Sequence, residues 1–166
     1  MSLDWIRNIV FFIVLLLVQV LVLNHIHLFG YATPLLYVYF AMPMRRHQPR
    51  WLTLLWCFAM GLTVDIFSDT PGVSAASMTV VGLLQPYLLP LFIQQDYADD
   101  FRPSIRALGM MKYTFYAFVL VATHCLLFFT LEAFNFFNWQ QWLASVVGSM
   151  VLTLVLILVI DNFRRK

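Results

Sequence analysis

Hydrophobic residues occur along this chain in six runs, separated by short polar or proline-containing stretches. The runs cover about residues 5–29, 31–44, 51–67, 73–93, 108–131 and 139–160. A helix needs roughly 20 apolar residues to cross a bilayer. The second run is shorter and lies between Pro34 and Pro43, so it must cross thinned bilayer or be shielded by its neighbours. The pattern predicts an all-α membrane protein whose single domain, 1–166, has six transmembrane helices.

The composition supports lipid as the solvent of this chain. Hydrophobic residues make up 62% of it, charged residues 11%, and the mean hydropathy is +0.83. A soluble domain would carry about a quarter charged residues. The most apolar part of the first run, residues 9–23, is followed by Asn24 and His25 rather than by a small-residue cleavage site. We therefore expect it to remain as the first helix.

The basic residues predict the orientation. All ten fall on one side of the six-span arrangement: Arg7, Arg45, Arg46, Arg50, Arg102, Arg106, Lys112, Arg164, Arg165 and Lys166. The positive-inside rule then places both termini in the cytoplasm. The net charge of +2 is thus a topology signal. It favours contact with membrane lipids and does not indicate nucleic-acid binding.

The stretch between the third and fourth runs contains a carboxylate, Asp65, one helical turn after Gly61. A carboxylate costs ~3 kcal/mol at the centre of a bilayer and less near its surface, so it should face the bundle and have a partner. A structural interpretation gives it donors on the fourth helix, from the backbone and from the hydroxyls of Ser74 and Ser77. The alternative is a binding or proton-handling acid.

Small residues surround this carboxylate. Pro71 and Gly72 predict a tight turn, and small side chains at Gly61 and at the start of the fourth helix allow two helices to approach closely. The stretch therefore predicts a closely packed hairpin with one buried acid near its tip.

Two further features are candidates for contacts between helices. His124 lies near the middle of the fifth run and is a possible buried polar partner of Asp65; a packing role is the simpler interpretation. The sixth run has a small-residue face that suits packing within the bundle or against another helix. That face consists of Ala144, Ser145, Gly148 and Ser149.

The sequence lacks the common catalytic and phosphate-binding motifs. The cysteines, Cys57 and Cys125, lie inside apolar runs without metal-ligand spacing. We predict no enzymatic activity, no metal site and no cofactor.

The pattern Gly61-x-x-x-Asp65, followed by Pro71-Gly72 and a small-residue helix start, resembles the rod shape-determining protein MreD family of bacteria. The aromatic run between Pro34 and Pro43, followed by basic residues, is similar to the same family. The resemblance implies a bundle like the substrate-binding S-components of energy-coupling-factor transporters, to which that family is distantly related. It carries over onto Gly61, Asp65, Pro71 and Gly72.

The resemblance also implies a function without catalysis. MreD-like proteins belong to the cell-elongation complex, with the single-pass protein MreC, a SEDS glycosyltransferase, a class B penicillin-binding protein and actin-like MreB filaments. The alternative is a substrate-binding subunit of a vitamin-type uptake transporter. Those subunits use an Ala-x-x-x-Ala face on the first helix, and the first run here contains no alanine.

Overall fold

The computed structural model of the protein describes residues 2–26, 30, 32–46, 48–93, 101–134 and 138–164. Its α-helices are α1 (Ser2–Leu21), α2 (Arg50–Ser68), α3 (Val73–Phe92), α4 (Ile105–Leu108), α5 (Met110–Ala133) and α6 (Trp139–Phe163). Two 3₁₀ helices, Leu23–His25 and Leu36–Phe40, lie between α1 and α2. The described chain is thus all-helical, as the hydrophobic pattern predicted.

Five helices, α1, α2, α3, α5 and α6, are long and apolar enough to cross a membrane. They correspond to five of the six predicted runs. α3 continues to Phe92 with Pro86 and Pro90 inside it. The predicted ends of the first and second runs at 27–29 and 31 lie outside the described residues, as do Arg165 and Lys166. The described chain is therefore a protein of the multi-pass membrane type.

The second of the six predicted helices, at 31–44, is not confirmed. Its described part contains only the 3₁₀ helix Leu36–Phe40 and turns. The reason is geometric: 14 helical residues would extend only about 21 Å, whereas the hydrocarbon core is about 30 Å thick. The neighbours shield this segment, because every residue from Leu35 to Met42 is at most 3% exposed. We call residues 32–46 the central segment.

The two ends of the bundle differ in chemistry. The hairpin end carries the α2–α3 turn, the last turn of α5 and the first turn of α6. The arginine end carries Asp4, Arg45, Arg102 and Arg164. The central segment begins near the hairpin end, where the Thr33 N–H donates to Ser149 Oγ at 3.0 Å. It finishes at the arginine end, where Arg45 Nη2 lies 2.6 Å from Asp4 Oδ1.

Side chains of three helices bind the backbone of the central segment. From α1, Gln19 accepts from the Leu36 N–H at 2.9 Å and donates to the Pro34 carbonyl at 3.0 Å. From α6, Thr153 Oγ1 accepts from the Leu35 N–H at 3.0 Å. From α5, the Tyr116 hydroxyl donates to the Met42 carbonyl at 3.3 Å. Non-helical backbone is tolerated at membrane depth only when protein groups satisfy it in this way.

We predict that the central segment crosses the membrane and so separates His25 from Arg50. Single cysteines introduced at His25 and Asn138 should react with an impermeant reagent in intact cells. A cysteine at Arg50 should react only after permeabilisation. The native thiols give little background because Cys57 and Cys125 are fully buried. Labelling of positions 25 and 50 from the same side would contradict the crossing.

Candidate functional site

The Asp65 carboxylate lies at the hairpin end and is 4% exposed. Its Oδ1 accepts from the Ser74 N–H and from Thr70 Oγ1, each at 2.9 Å, and its Oδ2 accepts from the Ala75 N–H at 2.9 Å. Ser74 and Ala75 are the second and third residues of α3. The acid at the end of α2 therefore caps the first turn of α3, whose free N–H groups and dipole favour an anion.

The hydroxyl donors differ from the expected ones. Ser77 Oγ donates to the Val73 carbonyl of its own helix at 2.8 Å. Ser74 contributes its backbone N–H, and the hydroxyl that binds Asp65 belongs to Thr70. Thr70 lies in the turn rather than on a helix, so neither hydropathy nor helical spacing indicates that it binds Asp65.

The turn between α2 and α3 uses two left-handed residues. Asp69 ends α2 at φ 53°, with its N–H bonded to the Asp65 carbonyl. Gly72 precedes α3 at φ 82°, a conformation that glycine adopts without steric cost. Pro71 and Gly72 are both exposed at the tip. The Asp65 backbone therefore holds the end of its own helix while its side chain holds the start of the next.

Close contact of α2 with α3 depends on Gly61. A Cβ at this position would lie 2.5 Å from the Ser74 carbonyl oxygen and 2.6 Å from Ala75 Cα. Both are backbone atoms, so they can move only if α3 moves. Gly61 thus brings α3 close enough for Asp65 to reach its N–H groups.

His124 is fully buried, and its Nε2 lies 2.9 Å from the Tyr37 hydroxyl. The two rings meet edge to face, with centroids 5.0 Å apart. His124 was a possible partner of Asp65, but the described partners of Asp65 are Thr70, Ser74 and Ala75. His124 therefore attaches α5 to the central segment.

The small-residue face of α6 divides between two environments. Ser149 is fully buried and binds the central segment, and a Cβ on Gly148 would lie 3.1 Å from Ala32 Cβ. Ala144 is exposed, while Ser145 borders a cavity. Gly148 and Ser149 therefore pack within the bundle, and Ala144 faces outward.

A cavity of about 720 Å³ opens at the hairpin end. Aromatic side chains form much of its wall: Tyr37, Phe67, Phe128, Phe129 and Trp142. Its polar lining includes Asn24, Thr70, Glu132, Asn138 and Gln141. Among the described residues that border it, none is lysine or arginine. The cavity could accommodate a small molecule with aromatic and hydrogen-bonding parts.

Comparison of the chain with known protein families, curated proteins and solved structures finds no match. The resemblance described above therefore supports a proposal rather than an assignment.

Sequence reasoning missed two buried polar residues that hold the bundle together. Gln19 is fully buried, and Asp161 is 3% exposed. Asp161 accepts from the Tyr39 hydroxyl at 2.8 Å and from the Ile105 N–H at 3.1 Å. The signal for Gln19 is its position as the one amide within the apolar stretch 9–23. Asp161 lies one residue beyond the predicted sixth span, where an acid attracts little notice.

Asp65 substitutions separate the contribution of its shape from that of its charge. We expect Asp65→Asn to accumulate nearly normally, because the amide oxygen still accepts hydrogen bonds. Asp65→Leu should accumulate poorly, because two backbone donors and a hydroxyl would lose their acceptor at about 1–3 kcal/mol each. Membrane abundance and thermal unfolding in detergent measure both. Equal stability of the Asn and Leu variants would contradict a structural role.

Gly61→Ala should destabilise the protein by about 1–3 kcal/mol, because the added methyl group meets the α3 backbone. Gly148→Ala is the matched control, since its new methyl group would meet only the Ala32 side chain, at 3.1 Å. Thermal unfolding of the two purified variants should show the larger decrease for Gly61→Ala. The reverse order would refute the close approach at Gly61.

Proposed function

We propose that this protein is a non-enzymatic, MreD-like scaffold of the cell-elongation complex in the bacterial inner membrane. On this proposal it helps to determine cell shape by holding together an MreC-like protein and the SEDS and penicillin-binding synthase pair. The motif that carries the resemblance is Gly61-x-x-x-Asp65 with Pro71-Gly72. In the structure these residues form one unit, in which an acid of α2 caps α3.

The use of the buried polar groups supports a scaffold. Asp65 holds the α2–α3 hairpin, Gln19 holds the central segment and Asp161 connects α6 to Tyr39 and Ile105. Intramembrane polar groups often mark transport or proton pathways. Here each of the three makes hydrogen bonds that fix one part of the bundle to another, as expected of a rigid assembly component.

The outer helices offer apolar surface for membrane partners. The spanning stretches of α1 and α6 are only 17% and 22% buried, against 33–39% for those of α2, α3 and α5. α1 and α6 therefore lie at the periphery of the bundle. A single-pass partner could pack against these faces in place of lipid.

Depletion in a rod-shaped host tests the proposal. Loss of the protein should turn rods into spheres, and Asp65→Asn should restore the rod shape while Asp65→Leu should not. Cell width and length by microscopy measure the effect. Cells that keep their shape while the protein is undetectable would refute the scaffold.

One observation favours the second candidate, a substrate-binding subunit of a vitamin-type transporter. The cavity of about 720 Å³ lies within the usual range for ligand sites, about 300–1,000 Å³. It opens at the end that the positive-inside rule places outside the cell. α1, however, carries no alanine to form the Ala-x-x-x-Ala face of such subunits.

The vitamin concentration of the growth medium distinguishes the scaffold from the transporter subunit. If the protein takes up a vitamin, excess vitamin should rescue the depleted strain, and its cells should have normal shape. The scaffold predicts rounded cells at every vitamin concentration. Rescue of growth by a vitamin would move the assignment to the transporter.

A further inference from the structure

Four arginines from distant parts of the chain meet around one small pocket at the arginine end. Arg7 lies on α1, Arg45 at the end of the central segment, Arg102 before α4 and Arg164 at the end of α6. Apolar side chains, including Phe11, complete the lining. The Arg164 guanidinium lies over the Phe11 ring, 5.0 Å from its centroid. We call this group the four-arginine pocket.

The described carboxylates do not balance this charge. Asp4 Oδ1 alone lies 2.6 Å from Arg45, 3.0 Å from Arg7 and 3.5 Å from Arg102. Within the part of the chain that the structure describes, four arginines and this one aspartate sum to a charge of +3. The next described acid, Asp161, already accepts bonds from the Tyr39 hydroxyl and the Ile105 N–H. Counting Asp161 as well still leaves +2.

Burial and neighbouring positive charge both act on the Arg102 guanidinium. Partial burial, together with the neighbouring Arg7 and Arg45, lowers its pKa to about 10, although Asp4 opposes the shift. An anion added to the pocket would relieve this repulsion. Guanidinium groups bind phosphate oxygens with paired, directional hydrogen bonds.

The surroundings of the pocket indicate where the anion comes from. Leu3 and Val10, one helical turn to either side of Arg7, are 80% and 54% exposed. An apolar face that meets lipid thus adjoins the arginines directly. A molecule with a phosphate and an acyl chain could contact both at once, whereas free phosphate would use only the arginines.

We propose that the four-arginine pocket is a binding site for a phosphate-bearing anion, supplied by the headgroup of an anionic membrane lipid. The site does not depend on the shape-determining function. It needs only that the bundle spans a membrane, because anionic phospholipid can reach either end.

The test uses full-length protein in detergent, with lipid retention measured by native mass spectrometry. Phosphatidylglycerol should be retained in preference to phosphatidylcholine. Arg102→Gln combined with Arg164→Gln should weaken its retention about tenfold or more, on the basis of the usual contribution of each basic residue near a membrane surface. Arg106→Gln is the matched control, because Arg106 is exposed at the same end and outside the pocket. It should change retention little.

Asp4→Asn should change phosphatidylglycerol retention in the opposite direction to the arginine variants. Removing the competing carboxylate should increase phosphatidylglycerol retention if the arginines bind the lipid. A decrease, in protein that keeps its thermal stability, would overturn the proposal. So would equal retention of the two lipids by the wild type, since the chain's own carboxylates would then already satisfy the guanidinium groups.

Inorganic phosphate separates the two sources of the anion. For a lipid site, phosphate at millimolar concentration should displace little phosphatidylglycerol. If millimolar phosphate displaced all the bound phosphatidylglycerol, and the protein retained phosphatidylglycerol and phosphatidylcholine equally, the pocket would bind soluble phosphate. That result would refute a site for a lipid headgroup.

Discussion

The structure depends on one constraint: backbone N–H and C=O groups inside a membrane must find partners within the protein. The central segment meets it without forming a helix of spanning length. Gln19 of α1, Thr153 of α6 and Tyr116 of α5 bind its backbone directly. Each of these bonds also fixes the position of a helix. The segment therefore acts as the core around which α1, α5 and α6 pack.

The same constraint explains the acid in the α2–α3 hairpin. The first N–H groups of α3 have no partners in their own helix, and Asp65 supplies both oxygens to them. That bond requires the close approach permitted by Gly61. The motif is thus one structural unit, in which glycine sets the distance and the carboxylate caps the helix. The cavity beside this motif does not hold helices together, and the cavity is the feature that favours ligand binding.

Much of this fold could be predicted from the sequence because lipid demands long apolar runs. Five of the six runs are helices of spanning length, and Asp65 had to face inward because exposure to lipid would be costly. The second run differs because hydropathy measures burial and not conformation: the eight apolar residues between Pro34 and Pro43 have the same hydropathy as a helix or as a shielded coil. The Tyr37 partner of His124 depends on which helices are neighbours, and hydropathy carries no information about that. The arginines are a similar case. The sequence shows that they lie on one side of the membrane, but it does not show that several of them meet at Asp4.

Affinity purification from native membranes in mild detergent, followed by identification of the co-purifying proteins, tests the scaffold most directly. The account predicts a single-pass protein with an extracytoplasmic coiled coil, together with a glycosyltransferase and a penicillin-binding protein. It also predicts that Asp65→Asn keeps these partners, because the carboxylate serves the hairpin rather than the chemistry of a substrate. Recovery of an energising ATPase module in their place would contradict the account and identify the cavity as a transport site.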